Sequence, residues 1–293
     1  MNYRHTFHAG NFADVVKHAV LVRVVEYLKR KDAALRIIDT HAGRGRTMLD
    51  RGDATRTGEW RHGIGRLMGP DARPVSPAAH ALLQPYFDLV AKENDGGALT
   101  NYPGSPRLAQ GMLRRGDVLV ANELQPEDGR ALAALLEDDR QCKVMTLDGW
   151  SFLKAVLPPK ERRGVVLIDP PFEEPGELVR MTEGLAAAMA RFATGTYLLW
   201  YPIKDPKHVQ RFHRGVRELG LAKVLAVELL LRPARDPGLL NGCGLIIVNP
   251  PYTLEAELHT ILPELARIFA DQNATGETLY RVDWLEPSVA KTP

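Results

Sequence analysis

The chain has 293 residues, 45% hydrophobic and 25% charged, and a formal net charge of +2. This is an ordinary globular composition, long enough for one large core, and a charge so close to neutral says little about partners. Its two cysteines, Cys142 and Cys243, lack a C-x-x-C spacing, and its nine histidines show no H-E-x-x-H pattern. This argues against a disulfide framework and a cysteine-based zinc site, and no metal is expected. The first residues, MNYRHTFHAG, are too polar for a signal peptide, and no apolar run approaches the ~20 residues of a membrane span, so the expected location is cytoplasmic.

In chain order, Asn11 can cap a helix from about Phe12 to Lys31. A buried strand follows at 35–39, LRIID, and the next acid-ended strand is 117–123, DVLVANE. Asp39 and Glu123 stand 84 positions apart, where an ordinary nucleotide-binding unit has about 20. The surplus carries helical apolar spacing, so residues 47–102 are read as a small helical insertion within one domain that spans 1–293. A helix over 127–137, starting near Pro126, leads to strands at 143–148 and 164–169. Helices over 176–190 and 206–219 flank a strand at 196–203. Strands 222–231 and 243–249 are joined by RPARDPGLLNG, too short for a crossover helix, so the second is expected to run antiparallel. A helix over 254–270 and a strand over 278–284 close the chain. Strand–helix alternation with non-alternating apolar strands predicts an α/β fold, a doubly wound Rossmann-like sheet covered on both faces.

Basic clusters stand near 115 (LRRG), at 160–164 (KERRG) and at 211–217 (RFHRGVR). Such clusters usually solvate a surface, and some meet phosphate.

The chemistry gathers where strands end. After the first strand comes DTHAGRGR (39–46), whose Gly43 and Gly45 allow a backbone to approach a ligand. His41 replaces the first glycine of a G-x-G-x-x-G fingerprint, which disfavours a dinucleotide. An acid followed by a short glycine turn better suits a nucleoside cofactor without phosphates. Glu123 ends the second strand, where an acid faces ribose hydroxyls. Asp148-Gly149 ends the third, where a carboxylate and a free N–H can read an adenine edge. Asp169 ends the fourth, in VVLIDPPFEE (165–174). Four ordered acids on one sheet edge match the motif order of S-adenosylmethionine-dependent methyltransferases.

Asp169-Pro170-Pro171-Phe172 resembles the [DNS]-P-P-[YFW] motif of amino-methyltransferases. A delocalised amine such as adenine N6 is a poor nucleophile. The Asp169 carboxylate and the Pro170 carbonyl can accept its two N–H bonds and turn its lone pair toward a methyl sulfonium. The prolines keep the turn rigid, and Phe172 can stack on an extruded base. By pattern alone Asn249, in VNPPY (248–252), is an equal candidate, but an antiparallel last strand would put it on the other edge.

YRHTFHAGNFADVVKH, DTHAGRG, RTGEW, YPGSP and LIDPPFE together resemble the RlmJ family, which methylates N6 of one adenine in 23S ribosomal RNA, the adenine-2030 type site. The resemblance covers nearly the whole chain. It implies a class I methyltransferase sheet, S-adenosyl-L-methionine as cofactor and 23S ribosomal RNA as partner; a monomer is expected, although the sequence does not fix oligomeric state. It places His18, His41 and Ser105 at the methionine end of the cofactor, Glu123 at the ribose and Asp148-Gly149 at the adenine. Asp169 becomes the catalytic carboxylate, and Tyr3, His5 and Lys17 fall on the substrate side, Lys17 suited to a phosphate. Phe172 stands where a tyrosine is expected. DNA adenine or a protein glutamine amide as acceptor, and a non-catalytic RNA-binding protein, are the alternatives.

Overall fold

Short apolar runs build the centre of one eight-stranded sheet. The computed structural model of the protein describes residues 8–94, 97–271, 274 and 278–288. The chain opens with α1 (Phe12–Lys29) and β1 (Arg36–Asp39). Then come β2 (Arg46–Met48), α2 (Asp53–Thr57), a 3-10 turn at Glu59–His62, α3 (Gly65–Met68), α4 (Pro77–Ala91) and β3 (Asn101–Pro103). The regular alternation resumes with α5 (Ser105–Met112), β4 (Val118–Asn122), α6 (Pro126–Leu136), β5 (Cys142–Met145), α7 (Gly149–Val156) and β6 (Gly164–Ile168). It continues through α8 (Glu177–Arg191), β7 (Thr196–Ile203), α9 (Pro206–Glu218), β8 (Val224–Leu230), β9 (Gly242–Val248), α10 (Leu254–Phe269) and β10 (Tyr280–Trp284).

The strand order is β10-β8-β9-β7-β6-β1-β4-β5. From β5 to β7 every pairing is parallel. β9 runs antiparallel to both its neighbours, β7 and β8, as the short connection requires. The chain builds outward from β1 to β5 and then returns to β6 on the other side of β1. This reversal opens a crevice beyond the carboxyl ends of β1 and β6, the place where such sheets bind ligands. β2 pairs with β3, so residues between them leave and return through one two-stranded neck. Neither short strand was expected, because three residues show no period.

One face of the sheet carries α1, α4, α5, α6 and α10, and the other carries α7, α8 and α9. α1 begins as predicted, with Asn11 Oδ1 accepting from the Ala13 and Asp14 N–H groups. Every residue from Phe12 to Val25 is buried. A helix buried all round must pair its polar side chains internally. That is why Lys17 meets Asp14, His18 meets Tyr102, and Arg23 meets Glu257.

The apolar pattern carries the third strand to Asp148, but β5 stops at Met145. The chain turns away because the Leu147 N–H donates to Asn122 Oδ1 instead of continuing the ladder. Asp148 is therefore not a strand end. It is the N-cap of α7, accepting from the Ser151 N–H.

Candidate active site

Two cavities meet at Asp169. The first, about 460 Å³, is lined by His41, Gly43, Glu123, Asp148, Gly149 and Pro170 among others. The second, about 290 Å³, is lined by His8, Asn11, Lys17, Phe172 and Trp200 among others. Asp169 forms part of both walls. A narrow crevice of about 20 Å³ beside them is lined by Lys17, His41, Gly45, Tyr102, Ser105 and Asp169. A larger recess, about 640 Å³, opens between α8 and α9 and touches Phe172, but none of the four motif acids lines it.

The first cavity suits a cationic ligand. Glu123, Asp128, Asp148, Asp169, Glu173, Glu174 and Glu177 line it, against one arginine, Arg180. Such a field repels phosphate and attracts a sulfonium or an ammonium. Glu123 is pinned, accepting from the Gly43 N–H through Oε2 and from the Gln125 N–H through Oε1. Each oxygen of a carboxylate can accept more than one hydrogen bond, which suits the group to hydroxyl partners. Leu124 beside it is 46% exposed and offers an apolar wall to a flat ring. Gly149 is required by close approach, since a Cβ there would lie 2.4 Å from His41 Nε2. Gly45, at φ +80, would drive a Cβ into Leu135. Burial holds the His41 imidazole below its ordinary pKa, against the pull of Asp169, Glu177 and Asp148. Thr40 Oγ1 fixes the ring through Nδ1 at 2.7 Å.

Asp39 lies underneath and is 1% exposed. Burial pushes its pKa up to about 6, only partly offset by the Ser105 hydroxyl and the Lys17 charge. Ser105 Oγ donates to Oδ2 at 2.6 Å. Oδ1 is enclosed with no well-aligned donor, although the His41 N–H helps to lower the pKa. Asn122, which sequence reading passed over, clips the loops together. Its Nδ2 donates to the Thr40 and Leu147 carbonyls.

At the junction, Lys17 Nζ bonds Asp169 Oδ2 at 2.5 Å and Asp14 Oδ1 at 2.8 Å. Burial alone would lower the Lys17 pKa, but the two carboxylates outweigh it and raise it above the ordinary range. Asp14 is anchored in turn by the Gly10 N–H at 3.0 Å. Lys17 Nζ also lies 6.0 Å from the centre of the Trp200 ring, on which Phe172 packs edge-on at 5.7 Å. Phe172 sits at φ +53, an uncommon conformation for a bulky residue, which aims its ring into the second cavity. From the TGEW stretch, Glu59 accepts from Asn11 Nδ2 and bonds His8 Nδ1, tying the start of α1 to the neighbouring segment.

Several sequence expectations need correction. Lys17 is 3% exposed and neutralised twice, so it offers no free charge to a phosphate. His18 is fully buried against the Tyr102 hydroxyl and lines none of the three spaces, although it neighbours Lys17. Pro170 lines the first cavity and not the second; Pro171 lines both. Asp148 is exposed and spends one oxygen on its cap. Tyr3 and His5 lie outside the described residues. Asp14 and Trp200 were missed. The signal for Asp14 was a Lys three positions later in a mostly apolar stretch of helix.

Asn249 is on the opposite edge. Its Nδ2 donates to the Ala193 and Gly195 carbonyls, just before β7 begins.

The family model described as "Ribosomal RNA large subunit methyltransferase D, RlmJ" matches residues 32–286. Ribosomal RNA large subunit methyltransferase J of Escherichia coli K12 is 41% identical over 287 residues, 98% of this chain and 99% of that protein. Its namesake in Haemophilus influenzae Rd is 38% identical over 288 residues, again 98% and 99%. The crystal structure of a Legionella pneumophila protein matches with a TM-score of 0.84 and 34% identity, covering 94% of this chain and 98% of that one.

Proposed function

The chain belongs to the RlmJ family of ribosomal RNA large subunit methyltransferases, and we propose that it transfers a methyl group from S-adenosylmethionine to N6 of an adenine in 23S ribosomal RNA. The observation that carries this reading is Asp169 standing in the wall between two cavities. One is acidic and shaped for a nucleoside cation; the other is walled by Phe172 and Trp200 and suited to a base. Residues 47–102 are read as a helical insertion into a single methyltransferase domain.

S-adenosylmethionine supplies an electrophilic methyl group on a sulfonium. The residues present fit it: the first cavity, about 460 Å³, is lined by carboxylates and by Gly43 and Gly149, with Glu123 held in its wall by two backbone N–H groups. Ser105 with His41 would hold the amino-acid end, Glu123 the ribose, and Asp148-Gly149 with Leu124 the adenine. Across the wall, Phe172 would stack on the extruded target base. Lys17 takes Asp169 Oδ2, so Oδ1 is the oxygen left to accept an N–H of the target amine. A carboxylate fixed in advance spares reorganisation at the moment of transfer. The double pairing of Lys17 keeps that charge in place without releasing a mobile cation next to the sulfonium.

The deciding experiment offers tritiated S-adenosylmethionine and the purified protein separately to 23S ribosomal RNA, adenine-containing DNA and protein. Label in N6-methyladenosine from the RNA alone is the expected result. Label in DNA or in glutamine would replace the substrate and keep the mechanism at Asp169. No label anywhere would leave a binding protein.

A further inference from the structure

Three basic stretches, far apart in sequence, meet at the sheet edge opposite the site. Residues 29–34, 113–117 and 158–163 lead into β1, β4 and β6, which are adjacent parallel strands, so their starts share one edge. These stretches hold eight lysines and arginines against three acids, a net of +5 in a chain whose total is +2. Two of the arginines tie the loops into one surface. Arg114 donates to the Lys29, Lys31 and Ala33 carbonyls, and Arg163 donates to those of Ala33 and Leu28.

The acids are largely used up internally. Asp117 is 1% exposed and holds Arg114 and the Leu35 N–H, and Glu161 is paired with Arg36. Arg30, Lys31, Arg115, Lys160 and Arg162 remain exposed, with Asp32 as the one exposed acid among them. No large apolar side chain of these stretches is exposed among the described residues. A surface that is strongly cationic and offers nothing apolar fits a polyphosphate. It fits a membrane or a protein core poorly, since both also take up apolar side chains.

We propose that this edge is a second contact surface for RNA, engaging the phosphate backbone of a long substrate away from the target adenine. The proposal rests on the RNA reading given above. Phosphate contacts fix position without reading sequence, and they add salt-dependent affinity. The five residues of β6 separate this edge from Asp169 by roughly 17 Å. RNA cannot pass through the sheet, so one touching both must run around the outside of a domain whose radius of gyration is ~19 Å, a path of ~60 Å against the ~30 Å stem of a ~20-nucleotide hairpin. A long fragment can do so, and a minimal hairpin cannot.

The test neutralises the exposed cations together, Arg30→Gln, Lys31→Gln, Arg115→Gln, Lys160→Gln and Arg162→Gln, and leaves Arg114 and Arg163 in place. Binding of a ~100-nucleotide 23S fragment is measured across salt concentrations, with methyl transfer to it and to a ~20-nucleotide hairpin bearing the same adenine. Fragment affinity should fall at least ~10-fold near 0.1 M salt, and the log–log salt slope should shrink by ~3–4. Hairpin kcat/KM should stay within about twofold. An unchanged fragment slope would overturn the proposal, as would a hairpin loss equal to the fragment loss. Variant-sensitive binding to phosphatidylglycerol vesicles with fragment binding unmoved would overturn it in favour of a membrane. If the wild-type methylates neither RNA yet the variant binds the fragment less tightly, the reaction assignment fails and the surface stands. Should the variant melt early, Arg115→Gln with Lys160→Gln carries the same comparison at a smaller slope change.

Discussion

Two Pro-Pro tetrapeptides in this molecule share a pattern and differ in everything that matters for chemistry. Asp169–Phe172 follows β6 and Asn249–Tyr252 follows β9, each after a wholly buried apolar strand. Each contains a residue in the left-handed region, Phe172 in the first and Asn249 in the second. β6 runs with its neighbours, so Asp169 reaches the crevice beside β1. β9 runs against β7, so Asn249 emerges beside Thr196 at the start of β7. There the Asn249 amide is consumed by two backbone carbonyls, while Tyr252 is 92% exposed with no cavity beside it among those described. Strand direction therefore decides which edge of the sheet such a motif reaches. The four residues alone do not decide it.

The largest expected difference between the two ends comes from removing charge. Lys17→Met strands two buried carboxylates, Asp14 and Asp169. Breaking a buried pair in this way costs about 3–5 kcal/mol, and the loss of a fixed Asp169 should cut turnover by orders of magnitude. Urea unfolding and single-turnover transfer read the two effects separately. A variant with normal stability and turnover would show that Lys17 does not organise the site.

Titration sharpens the contrast next, because the Asp169 end holds a displaced carboxyl and the Asn249 end an amide. The Asp39 pKa of about 6 lies above its unfolded value of 3.8. Between those values the folded state binds more protons, so its stability falls as pH rises from about 4 through about 6. The total is at most ~3 kcal/mol. Over the same window Asp39 gains a negative charge behind Ser105, which favours a cationic cofactor nearby, so cofactor affinity should rise. Asp39→Asn should flatten both profiles, as calorimetry at stepped pH would show. Persistence of either profile in the variant would assign it to another group.

Phe172→Ala should keep cofactor binding and weaken RNA methylation by ~1–3 kcal/mol, the contribution of base–aromatic stacking. A matching fall in melting temperature with unchanged KM would make Phe172 a packing residue of Trp200. Smallest of all, Asn249→Ala should leave turnover within about twofold and lower stability by ~1–3 kcal/mol, since two hydrogen bonds to backbone are lost. A stable Asn249→Ala enzyme with no activity would invert the comparison.

The sheet was legible because its signals are physical necessities. Buried strands read as unbroken apolar runs, prolines stop them, and an eleven-residue link cannot cross over. The strand-end acids Asp39, Glu123 and Asp169 were legible for the same reason. Asp148 was misplaced because KVMTLD looks like a continuous strand, and the side chain that ends it, Asn122, lies 25 positions away from Leu147. Lys17 was misread because a cation beside aromatics suggests phosphate. The better clue was the apolar surround on every face of α1, which allows a charge only as part of a pair. The neck of β2 and β3 and the left-handed Phe172 leave no local pattern at all.

Under the proposed function Asp169 separates cofactor from substrate and acts on the acceptor of the transferred methyl group. Asp169→Asn tests it most directly, with cofactor affinity by calorimetry and methyl transfer to 23S RNA measured on one preparation. Affinity within about fivefold of wild-type and a loss of at least ~10³ in turnover are expected. Near wild-type turnover from that protein would contradict that role.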